Sequence, residues 1–259
     1  MTQDLLYGVE GGIATLTFNR PEARNAFTFA MYDGLAKICR EIPPDGSVKA
    51  LILRGAGERA FAAGTDMTQF RGFAEAQDAL DYEARMDSVL GDVERCPVPT
   101  IAAIAGACTG GGAAIAACCD IRIADHRLKY GFPIARTLGN CLSASNLARL
   151  SALLGAGRTR EILFTARLME AEEAARIGLV AELLPDTDAL FARAHALAET
   201  LAGHAPLTLR ATKEAMRRVA QDGPGAEDHD LITLAYMSED FREGMEAFLA
   251  KRKPVWRGR

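Results

Sequence analysis

The sequence predicts an α/β fold, because short apolar strands alternate with helices through the first two-thirds of the chain and helices fill the last third. Two of these strands end in runs of Gly and Ala, over residues 54–66 and 105–114, where open α/β sheets bind their ligands. The 259 residues, of which 49% are hydrophobic and 25% charged, can bury one large core. We therefore expect one main domain with an appendage.

The chain is predicted to begin with a β-hairpin, since residues 5–10 and 13–19 alternate apolar with small or polar side chains around a Gly-Gly pair. Thr28 is typical of a helix N-cap, and a helix should follow it until Pro43-Pro44-Asp45-Gly46. Residues 48–53 are nearly all apolar, which is typical of a strand buried on both faces.

The alternation of strands and helices continues to about residue 130. After Ser143 the pattern is helical apart from one short strand, and the last helical stretch should break near Ser238, because its hydroxyl suits a helix start. The remaining predicted elements are helices over 74–94, 111–118, 187–201, 206–220 and 227–250 and strands over 100–104, 121–124, 128–130 and 179–183.

Charge and hydropathy exclude several classes of function. A net charge of −4 provides no cationic field for nucleic acid or for an anionic membrane surface, so neither is expected as a partner. The N-terminal residues lack a basic start followed by an apolar run, and Gly, Thr or Asp interrupts every apolar stretch well short of a bilayer span. We expect a cytoplasmic protein that acts on small molecules.

The cysteines and histidines do not predict a metal site. The six cysteines are scattered without a CxxC pair, and the four histidines show no HxxxH spacing. A disulfide framework is equally unsupported in a chain of this size. We expect most of the cysteines to be reduced and buried as small apolar side chains.

The two Gly-rich segments have more than one interpretation. In residues 54–66 the small side chains let the backbone touch a ligand, although an ordinary Gly-rich turn fits equally well. In residues 101–114 a strand meets a helix through glycines, and the free N–H groups of a helix start can bind a phosphate or stabilise an oxyanion. The second segment lacks both the P-loop ending and the GxGxxG spacing, so nucleotide binding fits poorly.

Five ordered segments resemble motifs of the crotonase (enoyl-CoA hydratase/isomerase) family, and the resemblance runs nearly end to end. These segments are Asn19 to Phe27, Phe61-Ala62-Ala63-Gly64-Thr65-Asp66, Gly106 to Asp120, Ala205 to Lys213 and Glu243 to Pro254. The resemblance implies a crotonase-like spiral of ββα units over residues 1–195 and a C-terminal helical trimerisation region over 196–259. It also implies an acyl-CoA substrate, no cofactor beyond coenzyme A, and a homotrimer or a dimer of trimers.

By position, the resemblance assigns an oxyanion hole to the N–H of Thr65 and the N–H of Gly111. Reactions next to a thioester carbonyl pass through an enolate whose charge sits on the thioester oxygen. Two preorganised donors, one at a helix start, would stabilise that charge by about 3 kcal/mol each. The Thr65 hydroxyl is the preferred additional polar contact to the reacting carbonyl.

The resemblance also assigns a coenzyme A site. Arg24 resembles the basic residue near the coenzyme A phosphates, and Lys251 or Lys253 would add charge there, although each is also compatible with a solvated surface cation. Ala63 and Asp66 belong to the FxAGxD loop that would border the ligand, where Asp66 is expected to organise the loop rather than transfer protons.

The sequence departs from the family at the two positions where hydratases carry glutamates, since Ala114 and Ile134 stand there. Neither side chain can move a proton, so the usual hydration by two carboxylates should be absent or very slow. On the predicted helix after the FxAGxD loop, Tyr82, Glu83 or Asp87 could serve as a replacement base, although a solvated helix face is the expected setting for the charges.

A polar loop over residues 136–143 replaces the Gly-rich stretch that the family has there. Arg136 could hold a substrate carboxylate, Cys141 could act as acid or nucleophile, and Asn140 or Ser143 could orient water. Purely structural roles compete with these: Ser143 as a helix cap, Asn140 in a turn and Cys141 in packing.

The leading hypothesis is an enzyme that acts on an acyl-CoA through a stabilised enolate, with isomerisation, decarboxylation, lyase chemistry and atypical hydration all open. The alternative is a non-catalytic acyl-CoA-binding protein that has lost both carboxylates. A nicotinamide-dependent oxidoreductase rests only on the strand-Gly-helix pattern.

Overall fold

The computed structural model describes residues 3–259, and in this range ten strands form two sheets. The larger sheet has the order β1 (Leu5–Glu10), β2 (Ile13–Phe18), β3 (Ala50–Gly55), β5 (Thr100–Ile104), β7 (Ile121–Asp125), β10 (Glu182–Leu184). The smaller has the order β4 (Ala60–Ala62), β6 (Ala107–Thr109), β8 (Lys129–Gly131), β9 (Met169–Glu170). All neighbouring strands are parallel except the pairs β1–β2 and β8–β9.

The strands and helices form a spiral of ββα units. In each unit the first strand joins the larger sheet, the second joins the smaller sheet, and a helix follows; β3-β4-α2, β5-β6-α3 and β7-β8-α4 have this form. The helices are α1 (Phe29–Glu41), α2 (Ala76–Glu94), α3 (Gly111–Cys118), α4 (Ile134–Thr137), α5 (Ala144–Leu154), α6 (Ala156–Thr165), α7 (Ala171–Arg176), α8 (Thr187–Ala202), α9 (Pro206–Asp222), α10 (His229–Tyr236) and α11 (Glu239–Leu249). The predicted α/β fold with C-terminal helices is confirmed.

Helices α1 and α11 begin where the sequence predicts, because a side chain that caps a helix precedes each of them. The hydroxyl of Thr28 accepts a hydrogen bond from the Met31 N–H, and that of Ser238 accepts one from Phe241. The strand predicted over 48–53 is β3, which lies two residues later. The strand predicted over 179–183 starts too early, because β10 covers only residues 182–184. The sequence did not predict β4 and β6, because these strands are three residues long and lie inside the Gly-rich segments.

Helix α8 belongs to the core, because Leu190, Ala194 and Ala198 are buried against the larger sheet. The boundary predicted between residues 195 and 196 therefore falls inside a helix that packs on the strands. Helix α8 ends at Ala202, and the three C-terminal helices α9 to α11 follow from Pro206. Residues 1 and 2 of the predicted core lie outside the described residues.

Helices α9 to α11 present many apolar side chains to solvent in the single chain. Phe248 is 83% exposed and Leu249 76%, and Met216, Ile232, Tyr236, Met237 and Met245 are also exposed. The tail folds back on α11, where the buried carboxylate of Asp240 accepts hydrogen bonds from the N–H groups of Arg257 and Gly258. No helix within residues 3–259 is both long and apolar enough to cross a bilayer.

Asn25 fastens the loop of residues 19–27 to the strand end at Gly55. Its buried side chain accepts a hydrogen bond from the Arg20 N–H at 3.0 Å and donates to the carbonyls of Ala56 and Ala60 at 3.0 and 2.7 Å. Its φ of 56° lies in the left-handed region, which asparagine tolerates better than most residues. One side chain thus joins two loops that are about 30 residues apart in the sequence.

We expect Asn25→Ala to lower the free energy of unfolding by about 3 kcal/mol, because it leaves buried backbone groups without partners and places alanine at a positive φ. Urea denaturation measures this. Asn19→Ala is the matched control, since the Asn19 amide makes one exposed hydrogen bond to the Gln3 carbonyl, and we expect it to cost less than about 1 kcal/mol. Equal losses in the two variants would contradict the role of Asn25.

Candidate active site

Two loops meet at one edge of the smaller sheet because the strands before them are paired. In the parallel register of β4 with β6, Ala60 lies beside Ala107 and Ala62 beside Cys108. The chain therefore leaves both strands at the same edge, through residues 63–66 from β4 and through Gly110 into α3 from β6. The pairing of two three-residue strands brings the two predicted Gly-rich segments together.

The N–H of Thr65 points away from the backbone that supports it. Phe27 donates its N–H to the Gly64 carbonyl at 2.8 Å, and Asp66 donates its N–H to the Phe27 carbonyl at 2.8 Å. These bonds use the groups on either side of Thr65, as in a parallel bridge, so the Thr65 N–H faces the opposite side. No hydrogen bond among residues 3–259 has the Thr65 N–H as donor.

Gly111 is the first residue of α3, so its N–H has no partner within the helix. No other hydrogen bond among the described residues uses this N–H either. A Cβ on Gly64 would lie 4.0 Å from the Gly111 nitrogen and 3.5 Å from the Thr109 carbonyl oxygen, which shows how closely the two backbones approach. Gly64 and Gly110 have φ values of 96° and 54°, which glycine adopts without strain.

Both N–H groups border a cavity of about 300 Å³, and Thr65 and Gly111 are among the residues that line it. Its walls are mostly apolar, and they come from the loop after β4, the middle of α2, the start of α3 and the segment from Phe132 to Asn146. The side chains or backbones that line it are Ala63, Gly64, Thr65, Met67, Phe70, Tyr82, Glu83, Met86, Thr109, Gly110, Gly111, Ala114, Phe132, Pro133, Ile134, Thr137, Leu138, Asn140, Leu142 and Asn146.

Three hydroxyl groups form a chain beside the Thr65 backbone. The Thr65 hydroxyl oxygen lies 2.9 Å from the hydroxyl of Tyr32 and 3.0 Å from that of Tyr82. Tyr32 is fully buried in α1, and burial raises its pKa; burial also raises the pKa of Tyr82. Both phenols therefore stay protonated at neutral pH.

Glu83 is the carboxylate of the cavity wall. Burial raises the pKa of its side chain, and the nearby charge of Asp87 adds to the increase, while the N–H of Ser143, which donates to it at 3.2 Å, opposes it. The interpretation of Glu83 as part of a solvated helix face is wrong, because the loop before α5 covers this side of α2. Ser143 also caps α5, through a hydrogen bond from the Asn146 N–H.

A polar network supports the Glu83 region from behind. The Ser143 hydroxyl donates to Asp87 at 2.8 Å, and Arg149 lies 3.5 Å from Asp87 and 2.8 Å from Glu94. Asp87 therefore has charged and polar partners and faces away from the cavity lining. Of the two acidic residues weighed on this helix, only Glu83 borders the cavity.

The structure does not bring Arg136 and Cys141 to the cavity. Ile134, Thr137 and Leu138 line it, and this spacing of three and four residues along α4 turns Arg136 to the outside, where it is exposed. Asn140 and Leu142 line it on either side of Cys141, and the thiol is exposed. Their predicted catalytic roles therefore lack contact with the site in this chain.

The predicted coenzyme A residues lie in different settings. Ala63 lines the cavity and donates its N–H to the Arg24 carbonyl at 3.0 Å, so the Arg24 backbone is next to the site while its side chain is exposed. Asp66 pairs with Arg20 at 3.0 Å and accepts hydrogen bonds from Thr68, which lower its pKa, so it organises the loop as expected.

Lys251 follows α11, is exposed, and lies outside the cavity lining of its own chain. All six cysteines are free, and five of them are buried, as predicted; Cys141 is the exception. Within residues 3–259 no group of three or more His, Cys, Asp or Glu side chains is arranged to hold a metal ion.

Comparison with known proteins assigns the family. The model of the enoyl-CoA hydratase/isomerase family matches residues 8–259. The chain belongs to this family. It is 34% identical to a short-chain-enoyl-CoA hydratase of Clostridium acetobutylicum, over 94% of each chain, and 33% identical to an enoyl-CoA isomerase/hydratase of Mycosarcoma maydis, over 96% of this chain and 93% of the relative.

The fold agrees with solved structures. A crystal structure of an enoyl-CoA hydratase/carnithine racemase from Magnetospirillum magneticum superposes with a TM-score of 0.91 at 38% identity, and the match covers 100% of this chain and 97% of the other. This protein is therefore an enzyme of the enoyl-CoA hydratase/isomerase type that acts on an acyl-CoA.

The sequence did not predict that Tyr32 contacts Thr65 at the candidate site of this enoyl-CoA hydratase/isomerase family member. Tyr32 lies on the buried face of α1 between core residues, so the helical pattern predicts packing and nothing else. The available signal was its type: a fully buried tyrosine needs a hydrogen-bond partner for its hydroxyl, and Thr65 provides one.

We expect Gly111→Ala to lower the free energy of unfolding by about 1–3 kcal/mol, because its Cβ would lie 1.9 Å from the Tyr32 hydroxyl oxygen. Tyr32→Phe in the same chain should recover most of the loss, since the nearest remaining ring atom, Cζ, lies at 3.2 Å. Chemical denaturation of the two single variants and the double variant measures the rescue.

Gly112→Ala is the control for this rescue. Its Cβ would lie 2.3 Å from the Ala62 carbonyl oxygen, which is backbone and cannot be removed by changing Tyr32. We expect Tyr32→Phe to leave the Gly112→Ala loss unchanged. A rescue of both variants, or of neither, would contradict the packing described for Gly111.

Proposed function

We propose that this enzyme moves a proton on an enoyl-CoA and so shifts its double bond. In this proposal the N–H groups of Thr65 and Gly111 hold the thioester oxygen, and Glu83 carries the proton. The observation that carries the proposal is that two backbone N–H groups and one half-buried carboxylate border the same cavity, and that the two N–H groups have no hydrogen-bond partner among residues 3–259.

The two N–H groups act on charge that develops during the reaction. Removal of a proton from the α carbon moves electrons onto the thioester oxygen and forms an enolate. Donors that are fixed before the reaction stabilise this charge without reorganising, by about 3 kcal/mol each. Gly111 also lies at the start of α3, where the helix dipole favours negative charge.

One carboxylate suits isomerisation better than hydration. Hydration needs a base that activates water and an acid that protonates carbon, and the two positions that the resemblance assigns to these groups hold Ala114 and Ile134. Both side chains border the cavity. Isomerisation instead needs one group, which takes a proton from the α carbon and returns it to the γ carbon while the double bond moves.

Glu83 fits this exchange because its pKa is raised. A carboxylate with an elevated pKa is a stronger base when ionised, and the acid that it becomes still gives the proton back readily. The apolar walls of Met86 and Phe70 limit access of water to the intermediate. The Ser143 N–H fixes one of the two carboxylate oxygens, so the other is left for the substrate.

A second candidate is hydration by a different pair of groups, with Glu83 as base and Tyr82 as acid. The relative from Clostridium acetobutylicum favours this candidate, because it is named a short-chain-enoyl-CoA hydratase. Asn140 and Asn146 also favour it, because their amides lie in the cavity wall and can hold a water.

The alternative to both candidates is a non-catalytic acyl-CoA-binding protein. Binding of acyl-CoAs without reaction of any of them would support that alternative.

We also propose how the rest of the ligand and the assembly are arranged. The exposed Arg24 side chain, next to the site through its backbone contact with Ala63, would meet the coenzyme A phosphates, and Lys251 would add charge from its own or a neighbouring subunit. The exposed apolar side chains of α9 to α11 favour a homotrimer or a dimer of trimers. No cofactor beyond coenzyme A is proposed, and the cytoplasm is the proposed location.

We expect Glu83→Gln to lower kcat/KM at least about 100-fold, because glutamine cannot carry a proton. The assay follows 3-enoyl-CoAs and 2-enoyl-CoAs of four to eight carbons and identifies the products by mass and retention, which separates a shifted double bond from added water. Asp81→Asn, on the exposed side of the same helix, should stay within about twofold of wild type. Activity of the Glu83→Gln variant close to wild type would exclude Glu83 as the proton carrier.

Glu83 should also make stability depend on pH. Folding raises its pKa, so the stabilising contribution of its bound proton is full at pH values below the unfolded pKa and is lost as the pH rises through the folded pKa. Glu83→Gln removes the half-buried charge, so we expect it to raise the unfolding midpoint modestly at pH 8 and not at about pH 4. A variant that is less stable than wild type at pH 8 would contradict the charge burial. Thermal unfolding at both pH values measures it.

A further inference from the structure

The hydroxyl chain of Tyr32, Thr65 and Tyr82 holds more protons than its internal hydrogen bonds use. The three hydroxyl groups carry three protons, and the chain contains two oxygen-to-oxygen contacts, at 2.9 and 3.0 Å. Each contact uses one proton. No other hydrogen bond among residues 3–259 involves any of the three hydroxyl oxygens, so one proton is left over.

Burial decides that the remaining proton does not belong to Tyr32. Tyr32 is 0% exposed, and Thr65 is the only acceptor its hydroxyl meets among the described residues. A buried O–H without an acceptor is costly, so Tyr32 donates to Thr65. The remaining proton belongs to Thr65 or to Tyr82, and both of these residues line the cavity.

The chemistry of the two hydroxyl types assigns the proton to Thr65. A phenol is more acidic than an aliphatic alcohol, which makes it the better donor and the alcohol oxygen the better acceptor. Both tyrosines therefore donate to Thr65, whose oxygen has two lone pairs to accept them. The Thr65 hydroxyl then has both acceptor sites filled, and its own proton has no partner within the described residues.

We propose that the Thr65 hydroxyl donates a hydrogen bond to the thioester oxygen of the substrate, as a third donor beside the N–H groups of Thr65 and Gly111. This inference rests on the proposed enolate mechanism and adds a catalytic residue to it. Thr65 then contacts the reacting oxygen twice, through backbone and side chain, and Tyr32 and Tyr82 are positioning residues that fix the direction of its O–H.

Aromatic packing keeps the chain of hydroxyls in place and limits its contact with water. The Tyr82 ring packs against those of Phe29, Phe70 and Phe73, with ring centroids 5.9, 5.0 and 6.1 Å away. The Tyr32 hydroxyl lies against Gly111, where any side chain would displace it. A donor in a site with little water stabilises developing charge more than one in bulk solvent.

The test uses butyryl-CoA with ¹³C at the thioester carbonyl, because this saturated ligand can neither be hydrated nor isomerised. Its carbonyl chemical shift on binding reports polarisation by hydrogen bonds, and exchange of its α protons for deuterium reports enolate formation. Thr65→Val and Thr65→Ala remove the hydroxyl and keep the N–H, Thr65→Ser keeps both, and Tyr82→Phe removes one positioning partner. Tyr7→Phe is the control, since it loses a phenol outside the cavity lining.

We expect Thr65→Val and Thr65→Ala to reduce the carbonyl shift and to slow the exchange at least about tenfold. The exchange rate of Thr65→Ser should stay within about threefold of the wild-type rate, and that of Tyr82→Phe should fall by less than about tenfold. The exchange rate and the carbonyl shift of Tyr7→Phe should equal those of the wild type. If Thr65→Val does not fold, Thr65→Ala carries the same comparison.

Two results would overturn the inference. One is a wild-type shift and exchange rate in the variants without the Thr65 hydroxyl. The other is a larger loss in Tyr82→Phe than in Thr65→Ala, which would assign the proton to Tyr82. Both leave the proposed function intact as long as the wild type exchanges the α protons, whereas absence of exchange in the wild type contradicts the enolate mechanism itself.

Discussion

The close contact between the backbones of Gly64 and Gly110-Gly111 is the constraint on which the site depends. A Cβ on Gly110 would lie 3.5 Å from the Gly64 Cα, so the two backbone segments pass each other at contact distance. Because β4 and β6 are parallel neighbours, the segments that follow them leave the sheet in the same direction at this point. The N–H groups of Thr65 and Gly111, which have no hydrogen-bond partner among residues 3–259, border one cavity as a consequence of this strand pairing.

Much of the surrounding sequence holds these two loops in position. Asn25 and Arg20 bind the loop of residues 19–27 to the strand end and to Asp66, which in turn caps the short 3₁₀ helix of residues 67–70. A Cβ on Gly55 would lie 2.2 Å from the Ala60 carbonyl oxygen and 2.6 Å from the Asn25 amide nitrogen, so the packing of these two groups leaves room only for glycine. Residues of this kind fix the backbone beside the cavity and are not among the residues that line it.

The sequence predicted the framework well because its local signals agree with the tertiary structure. Thr28 and Ser238 start helices where their hydroxyls can cap them, and residues 100–104 form a strand with the bounds that the apolar run predicts. The predicted ends of strands were less accurate. Strand β3 extends to Gly55 because it pairs with β2, and this pairing is a long-range contact that local sequence does not show.

Side-chain direction in the irregular segments was the part that the sequence could not supply. The sequence places Arg136 and Cys141 in a polar segment next to the predicted site, yet Arg136 lies on the outer side of α4 and both side chains are exposed. Glu83 lies on a helix whose charges should face solvent, and only the packing of the loop before α5 encloses it. Tyr32 contacts Thr65 across 33 residues of sequence, a distance over which no spacing rule operates.

A crystal structure with an unreactive enoyl-CoA analogue bound tests the central claim most directly. We expect the thioester oxygen to lie about 3 Å from both the Thr65 and the Gly111 nitrogens. We also expect the α carbon to lie within reach of the Glu83 oxygen that Ser143 does not bind. A thioester oxygen that contacts neither N–H, with the acyl chain outside this cavity, would contradict the proposed role of the two N–H groups.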